Sequence, residues 1–256
     1  MLLTIDIGNS NIVFGGFMGD SLDLFFRIKT RKELSKTEWA HHILKAFQEH
    51  KVKPNLVDNV IIASVVPEKQ AALSEIIQEH LSVSKPYIVT YKSDFHITLA
   101  IEKLQTLGID RAVNAAAAFE KYKANLIIVD VGTATTFDIV KDKTYIGGLI
   151  VPGPQTMKTA LIQSASQLEK LNLHLEKPKN IIGKNTKDSI QSGLFYGYIG
   201  LIENILKNII HEQKTDFIIV FTGGAAPLFI HEISHPCLHE PHLTLKGLKL
   251  VSDWNT

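Results

Sequence analysis

Two stretches of this chain repeat one order of residue types, Ile5-Asp6-Ile7-Gly8-Asn9-Ser10 and Val129-Asp130-Val131-Gly132-Thr133-Ala134. Each reads apolar, aspartate, apolar, glycine, then small side chains. An aspartate near the end of a buried strand reaches the edge where open α/β sheets place their ligands. The glycine permits a tight turn whose backbone N–H groups can face an anion. Hydroxyl or amide side chains after it add donors for phosphate oxygens. The carboxylate is left to hold a cation, directly or through water. Two such turns facing each other across a cleft would grip a nucleotide polyphosphate, and Thr222-Gly223-Gly224 adds a third glycine turn. The plainer reading is that Asp6 and Asp130 only cap hairpin turns.

The flanking pattern supplies the elements that must position these groups. Leu2–Ile7, Ile12–Phe17 and Leu22–Ile28 read as strands separated by Gly/Asn/Asp turns. Ser35 with Glu38 forms a capping box ahead of Trp39, Ile43 and Phe47, which share one helix face. Val60–Val65 reads as a buried strand, Pro67 opens a helix, Tyr87–Thr90 is a short strand, and Arg111–Tyr122 is an alanine-rich helix. Then the order restarts. Leu126–Val131, Phe137–Lys141 and Thr144–Ile150 form a second strand cluster, helices follow near 156–171 and 186–212, and Phe217–Phe221 is a last buried strand. The expected division is an N-terminal domain over 1–115 and a C-terminal domain over 116–256.

Composition narrows the class. Twenty-seven basic against 26 acidic residues leave a net charge of +1, which offers nucleic acid no broad electrostatic footprint. A single cysteine, Cys237, excludes an intrachain disulfide and fits a reducing compartment. No apolar run approaches the roughly 20 residues that span a bilayer, and the opening MLLTIDIGNS lacks a basic n-region. The expectation is a soluble, cytoplasmic enzyme without nucleic-acid or membrane partners.

The duplicated strand–Asp–x–Gly turns resemble the actin-like superfamily of sugar kinases and chaperone ATPases. The resemblance sharpens along the chain. Asp6-Ile7-Gly8-Asn9-Ser10-Asn11, Gly108-Ile109-Asp110-Arg111, Asp130-Val131-Gly132-Thr133, Gly147-Gly148 with Pro152-Gly153, Gly183-Lys184-Asn185-Thr186 and Thr222-Gly223-Gly224-Ala225 stand in the order seen in type III pantothenate kinases. The closing Leu243–Leu248 is also similar to that family's C-terminal segment. The resemblance implies two duplicated actin-like (ribonuclease H-like) α/β domains with a nucleotide cleft between them. It implies ATP-dependent phosphorylation of pantothenate, the first step of coenzyme A biosynthesis. By the same resemblance Asp6, Ile7, Gly8, Asn9, Ser10, Asn11, Ile12 and Val13 form the first phosphate-binding turn, and Thr133 contacts ATP. Gly108, Ile109, Asp110 and Arg111 line the pantothenate site with Asp110 as proton acceptor, and Thr186 is a further substrate contact. Asp130 holds the monovalent cation, K⁺ or NH₄⁺, beside ATP with Mg²⁺. Family members are homodimers with pantothenate near the subunit interface. Two departures stand out: Ile101 replaces the tyrosine usual seven residues before Gly108, and Gln167–Leu173 replaces the family's Thr-Ala-x-Leu-Pro stretch.

Rival readings remain. Asp110 and Thr186 each stand near a helix start and could serve only as caps. Gly193, Gly197 and Gly200, at near-helical spacing, suit close helix packing, a dimer interface included. His231-Glu232-Ile233-Ser234-His235 matches the zincin pattern, but Pro236 biases His235 away from a sustained helix. No P-loop and no Gly-x-Gly-x-x-Gly after the first strand is present. A different class also stays open: a catalytically weak nucleotide-binding regulator of the same fold, of the transcription accessory type.

Overall fold

The computed structural model describes residues 1–30, 34–81, 83, 85–164 and 171–255. They form two compact units, Met1–Lys121 with Leu243–Thr256, and Tyr122–His242.

In the first unit β1 (Leu2–Ile7), β2 (Asn11–Met18) and β3 (Ser21–Lys29) make an antiparallel meander. Helix α1 (Lys36–Glu49) leads to β4 (Asn59–Ser64), and α2 (Pro67–His80) to β5 (Tyr87–Ile88). The sheet order is β3-β2-β1-β4-β5, with β4 parallel to β1 and β5 parallel to β4. The two-residue β6 (Thr98–Leu99) precedes α3 (Ile109–Tyr122). Alternation along β1 sorts its side chains. Leu3, Ile5 and Ile7 face Trp39, Ile43 and Phe47 of α1 and Leu73, Ile76 and Ile77 of α2 in one core cluster. The two-residue period therefore puts Thr4 and Asp6 on the opposite face. The capping box expected at Ser35 is present, with the Glu38 carboxylate accepting from the Ser35 N–H at 2.8 Å.

The second unit repeats this plan. Strands β7 (Leu126–Val131), β8 (Ala134–Lys141) and β9 (Thr144–Pro152) form the meander, followed by α4 (Pro154–Gln163) and the long α5 (Thr186–Gln213). Strand β10 (Ile218–Thr222) runs parallel to β7, the single turn α6 (Ala226–Phe229) follows, and β11 (Cys237–His239) runs parallel to β10. The order β11-β10-β7-β8-β9 mirrors that of the first unit. Even the irregularities recur. The β2–β3 register shifts between Gly16 and Phe17, and the β8–β9 register shifts between Ile139 and Val140, each two residue pairs before a two-residue turn. A bulge repeated at one place is a retained device rather than a defect. The core of this unit forms between Ile127, Val129 and Val131 of β7 and Phe195, Tyr198, Ile202 and Leu206 of α5.

The last helix, α7 (Leu243–Asn255), belongs to the first unit. The division expected at 115/116 follows sequence order and therefore differs from the packing at both ends. Leu248 and Val251 of α7 share a core cluster with Ile61 and Ala63 of β4 and Ala112, Val113 and Ala116 of α3. The alanines of α3 make this close packing possible, as does Gly247. A Cβ there would lie 2.7 Å from the Val113 carbonyl oxygen and 3.0 Å from Ala117 Cβ. Helix α4 ends at Gln163 rather than near 171; residues 165–170, and with them 167–170 of the departure at 167–173, lie outside the described residues.

Gly247→Ala sets two effects against each other. Helix propensity favours alanine by about 1 kcal/mol, whereas overpacking a filled interface costs about 1–3 kcal/mol. Because the obstacle includes backbone, packing wins. The variant is expected to melt below wild type by differential scanning fluorimetry; a higher melting temperature would show that α7 shifts without cost.

Candidate active site

In each unit an aspartate occupies the penultimate position of the first strand, and a glycine turn follows it. In the first unit Asp6 pairs with Ala63 of β4 and Val13 of β2, and the Gly8 N–H donates to the Asn11 carbonyl at 3.0 Å. In the second, Asp130 pairs with Thr222 of β10 and Thr136 of β8, and the Gly132 N–H donates to the Ala134 carbonyl at 3.0 Å. The second turn is one residue shorter. Ile7 pairs with Ile12, but Val131 pairs with Thr135. Asn9 is exposed at the tip of the first turn, and Thr133 at the tip of the second.

Both turns are held from behind in the same way. The residue after β3, Thr30, donates its N–H to the Ser10 carbonyl at 3.0 Å. The residue after β9, Gly153, donates its N–H to the Thr133 carbonyl at 2.9 Å. A threonine hydroxyl joins each contact: Thr30 Oγ1 donates to the Gly8 carbonyl at 2.7 Å, and Thr156 Oγ1 of α4 donates to the Thr133 carbonyl at 2.6 Å. Neither threonine stood out in the sequence, because a single hydroxyl after a strand carries no signal of its own.

Around Asp130 the second unit is built tightly. The Thr222-Gly223-Gly224 turn ends β10, and Gly223 has φ +90°, a conformation that L side chains rarely adopt. A Cβ on Gly223 would run into Asp130 Oδ1 and approach Val131 N to 2.6 Å. The missing side chain is thus the space the carboxylate occupies. Behind the turn, the buried hydroxyls of Thr135 and Tyr198 hydrogen-bond each other. Burial pushes the Tyr198 phenol up to about 12, and the nearby Asp130 charge pushes the same way. Tyr198 therefore stays a neutral hydrogen-bonding post across the physiological range.

Asp110 is the second residue of α3, inside its first turn rather than capping it. The Arg111 and Ala112 N–H groups point to the Gly108 carbonyl at 3.1 and 3.3 Å. The Asp110 carboxylate folds back over Gly108 and accepts from the Arg111 N–H at 2.9 Å. Burial raises its pKa above 3.8, and the Arg111 N–H and guanidinium only partly oppose that. Arg111 is half-buried beside it. A half-buried carboxylate of raised basicity at a helix N-terminus is the arrangement a general base needs. Thr186 opens α5, yet the cap is Asn185, whose Oδ1 accepts from the Asp188 N–H at 2.9 Å. The exposed Thr186 hydroxyl is not the helix cap. Ile101 lies half-buried in the irregular segment between β6 and α3.

Other sequence candidates dissolve. His231 and Glu232 end a single 3₁₀ turn, Ile233 is extended, and His235 pairs instead with Glu203 of α5 at 3.2 Å. Among the described residues no group of three or more His, Cys, Asp or Glu is placed to hold a metal. Burial lifts the Cys237 thiol to about 11, so it is no nucleophile at neutral pH. Among the described residues no helix is long and apolar enough to cross a membrane.

Comparison with known proteins decides the lineage. The family model for type III pantothenate kinase matches residues 2–208. This chain belongs to the type III pantothenate kinase family. A type III pantothenate kinase of Finegoldia magna is 37% identical over 259 residues, covering 100% of this chain and 98% of that protein. One of Geotalea daltonii is 38% identical over 256 residues, covering 100% and 99%. Among solved structures, component A of (R)-2-hydroxyglutaryl-CoA dehydratase from Acidaminococcus fermentans superposes with a TM-score of 0.57 over 98% of both chains. At 11% identity that likeness shows the fold alone. The fold is the two-domain actin-like one that the duplicated meanders announce.

Gly153→Ala tests the clasp on the second turn. Gly153 has φ −70° and ψ 165°, which alanine adopts freely, so only sterics are altered. Its Cβ would overlap the Gly132 carbonyl oxygen and come 2.7 Å from the Thr133 carbonyl oxygen. The Michaelis constant for ATP is expected to rise about tenfold, the equivalent of ~1.4 kcal/mol. An unchanged constant would mean the turn need not be held there.

Proposed function

We propose that this chain transfers the γ-phosphoryl group of ATP to the primary hydroxyl of pantothenate, releasing ADP and 4′-phosphopantothenate. The observation that carries the reading is the pair of clasped glycine turns, each following an aspartate-bearing strand, in a chain matched over its full length by pantothenate kinases. The first turn, Asp6 to Val13, offers backbone N–H donors to nucleotide phosphates, and Thr133 offers its hydroxyl. Such fixed donors stabilise charge that develops on the transferred group without reorganising.

The acceptor side rests on α3. The pantothenate hydroxyl oxygen forms the new bond to the γ-phosphorus while the bond to the bridging β–γ oxygen breaks. The hydroxyl proton passes to the Asp110 carboxylate. Arg111 gives the substrate a charge-assisted partner, and Gly108, Ile109 and Thr186 complete its contacts.

Asp6 would lie beside a divalent ion, Mg²⁺, that accompanies ATP, and Asp130 would hold a monovalent cation, K⁺ or NH₄⁺. What supports a cation there is the Asp130 carboxylate, which the absent Gly223 side chain lets lie beside the Val131 main chain. The ions supply fixed positive charge beside the phosphates. The assembly is a homodimer. Gly193, Gly197 and Gly200 support this, because a Cβ at each would meet nothing within 4 Å, leaving one smooth strip of α5 uncovered. They therefore do not serve packing within the unit. The reaction takes place in the cytoplasm. ADP release that depends on added pantothenate tests the activity; release unaffected by pantothenate would leave the regulator reading in its place.

Two further outcomes are expected. Turnover should require K⁺ or NH₄⁺, and Asp130→Asn should fold normally while needing more of the ion. Equal turnover in Na⁺ or a bulky organic cation would remove the cation from Asp130.

For Asp110 the sign of the pH effect is fixed by burial. Its folded pKa lies above the ordinary 3.8, so the folded chain favours the protonated carboxyl. Its contribution to stability therefore declines as pH rises from the ordinary carboxylate range through the raised value, and stays lowered at neutral pH. Asp110→Asn abolishes that cost, so the variant should melt no lower than wild type at neutral pH. Turnover at saturating substrates should fall about 10²–10⁴-fold. In wild type, kcat should fall with acid in a limb centred above 3.8. Turnover of the variant within about threefold of wild type, far short of a lost base, would take Asp110 out of the mechanism.

A further inference from the structure

Thr30 is 3% exposed and makes two hydrogen bonds to the turn that follows Asp6. Its N–H reaches the Ser10 carbonyl at 3.0 Å and its hydroxyl reaches the Gly8 carbonyl at 2.7 Å. A trans peptide points its carbonyl and the next N–H to opposite sides. Fixing the Gly8 carbonyl on Thr30 therefore aims the Asn9 N–H away from Thr30, at the exposed tip of the turn. The rotation that glycine allows around Gly8 is removed by one hydroxyl.

The second unit also holds its turn with a main-chain N–H and a threonine hydroxyl, both on one carbonyl and from different residues. There the Thr133 carbonyl takes the Gly153 N–H and the Thr156 hydroxyl, which aims the Ala134 N–H the other way. A main-chain donor and a threonine hydroxyl behind each glycine turn, drawn from unlike positions, mark the hydroxyl as part of the turn's function rather than filler. Backbone N–H groups bind anions well only when they are already pointed.

We infer that Thr30 is a positioning residue for the nucleotide: its buried hydroxyl orients the Gly8–Asn9 peptide so that the first turn meets the phosphate chain. The inference rests on reading that turn as the ATP site. It predicts a pattern that general destabilisation does not produce. Phosphate-bearing ligands weaken, adenosine does not, and a serine at 30 restores what a valine loses.

The experiment compares wild type, Thr30→Val and Thr30→Ser, each checked by thermal melting. Binding of ATP, ADP and adenosine is titrated without pantothenate, and pantothenate-dependent ADP release is measured separately. Thr30→Val should weaken ATP and ADP about fivefold to tenfold, the worth of one neutral hydrogen bond. It should leave adenosine and the Michaelis constant for pantothenate unchanged, and Thr30→Ser should bind ATP within about twofold of wild type, since it keeps the hydrogen bond. If Thr30→Val does not fold, Thr30→Ala makes the same comparison with Thr30→Ser. ATP affinity equal to wild type in the valine variant overturns the inference. So does equal loss of ATP and adenosine, or a serine variant as weak as the valine. A wild-type chain that binds ATP with this dependence yet releases no ADP with pantothenate removes the kinase reading and leaves Thr30 in place. A wild-type chain that binds no nucleotide removes both.

Discussion

A glycine turn that binds phosphate must be loose enough to form and rigid enough to point. Here the two glycine turns are held by one interaction made twice, a main-chain N–H from just beyond the third strand donated to a carbonyl of the turn after the first. That contact requires the third strand to end beside the first turn. The register of the whole meander therefore has to hold, which accounts for the repeated placement of the bulges at Gly16/Phe17 and Ile139/Val140. Slipping either hairpin by one residue would turn the core side chains outward and carry the clasp away from its carbonyl.

The two units share a scaffold and differ in what they mount on it. The first has a longer turn with an exposed amide side chain at its tip and a buried threonine behind. The second has a shorter turn with an exposed hydroxyl, and it needs glycine at two flanking positions because backbone and carboxylate already fill the space. The aspartates also diverge in setting. Half-buried Asp130 lies against the Gly223 turn and near a neutral phenol. Asp110 sits in the first turn of a helix and is raised in basicity by burial.

Much of this was legible in the sequence, for identifiable reasons. Leu2–Ile7 and Leu126–Val131 carry apolar runs bounded by turn residues, and their limits match the strands observed. The capping box at Ser35 and Glu38 fixed the start of α1 because both partners are local. What escaped were contacts between residues distant in sequence. Thr30, Thr156 and Tyr198 look ordinary in their neighbourhoods, and only the folded register brings them to the turns. Three residues beside Pro236 carry no period to mark β11, and the docking of α7 on the first unit is not readable from order along the chain. The rival reading of Asp110 and Thr186 as caps turned on one or two residues, finer than sequence resolves a helix boundary.

The docking of α7 has a temporal side. The first unit is begun by the earliest residues of the chain and finished by residues 243–255, so its face formed by Ile61, Ala63, Val113 and Ala116 stays uncovered while all of the second unit is being synthesised. The second unit, continuous in sequence, can close on its own as it emerges. The half that begins first is completed last, because Leu248 and Val251 of α7 belong to its core.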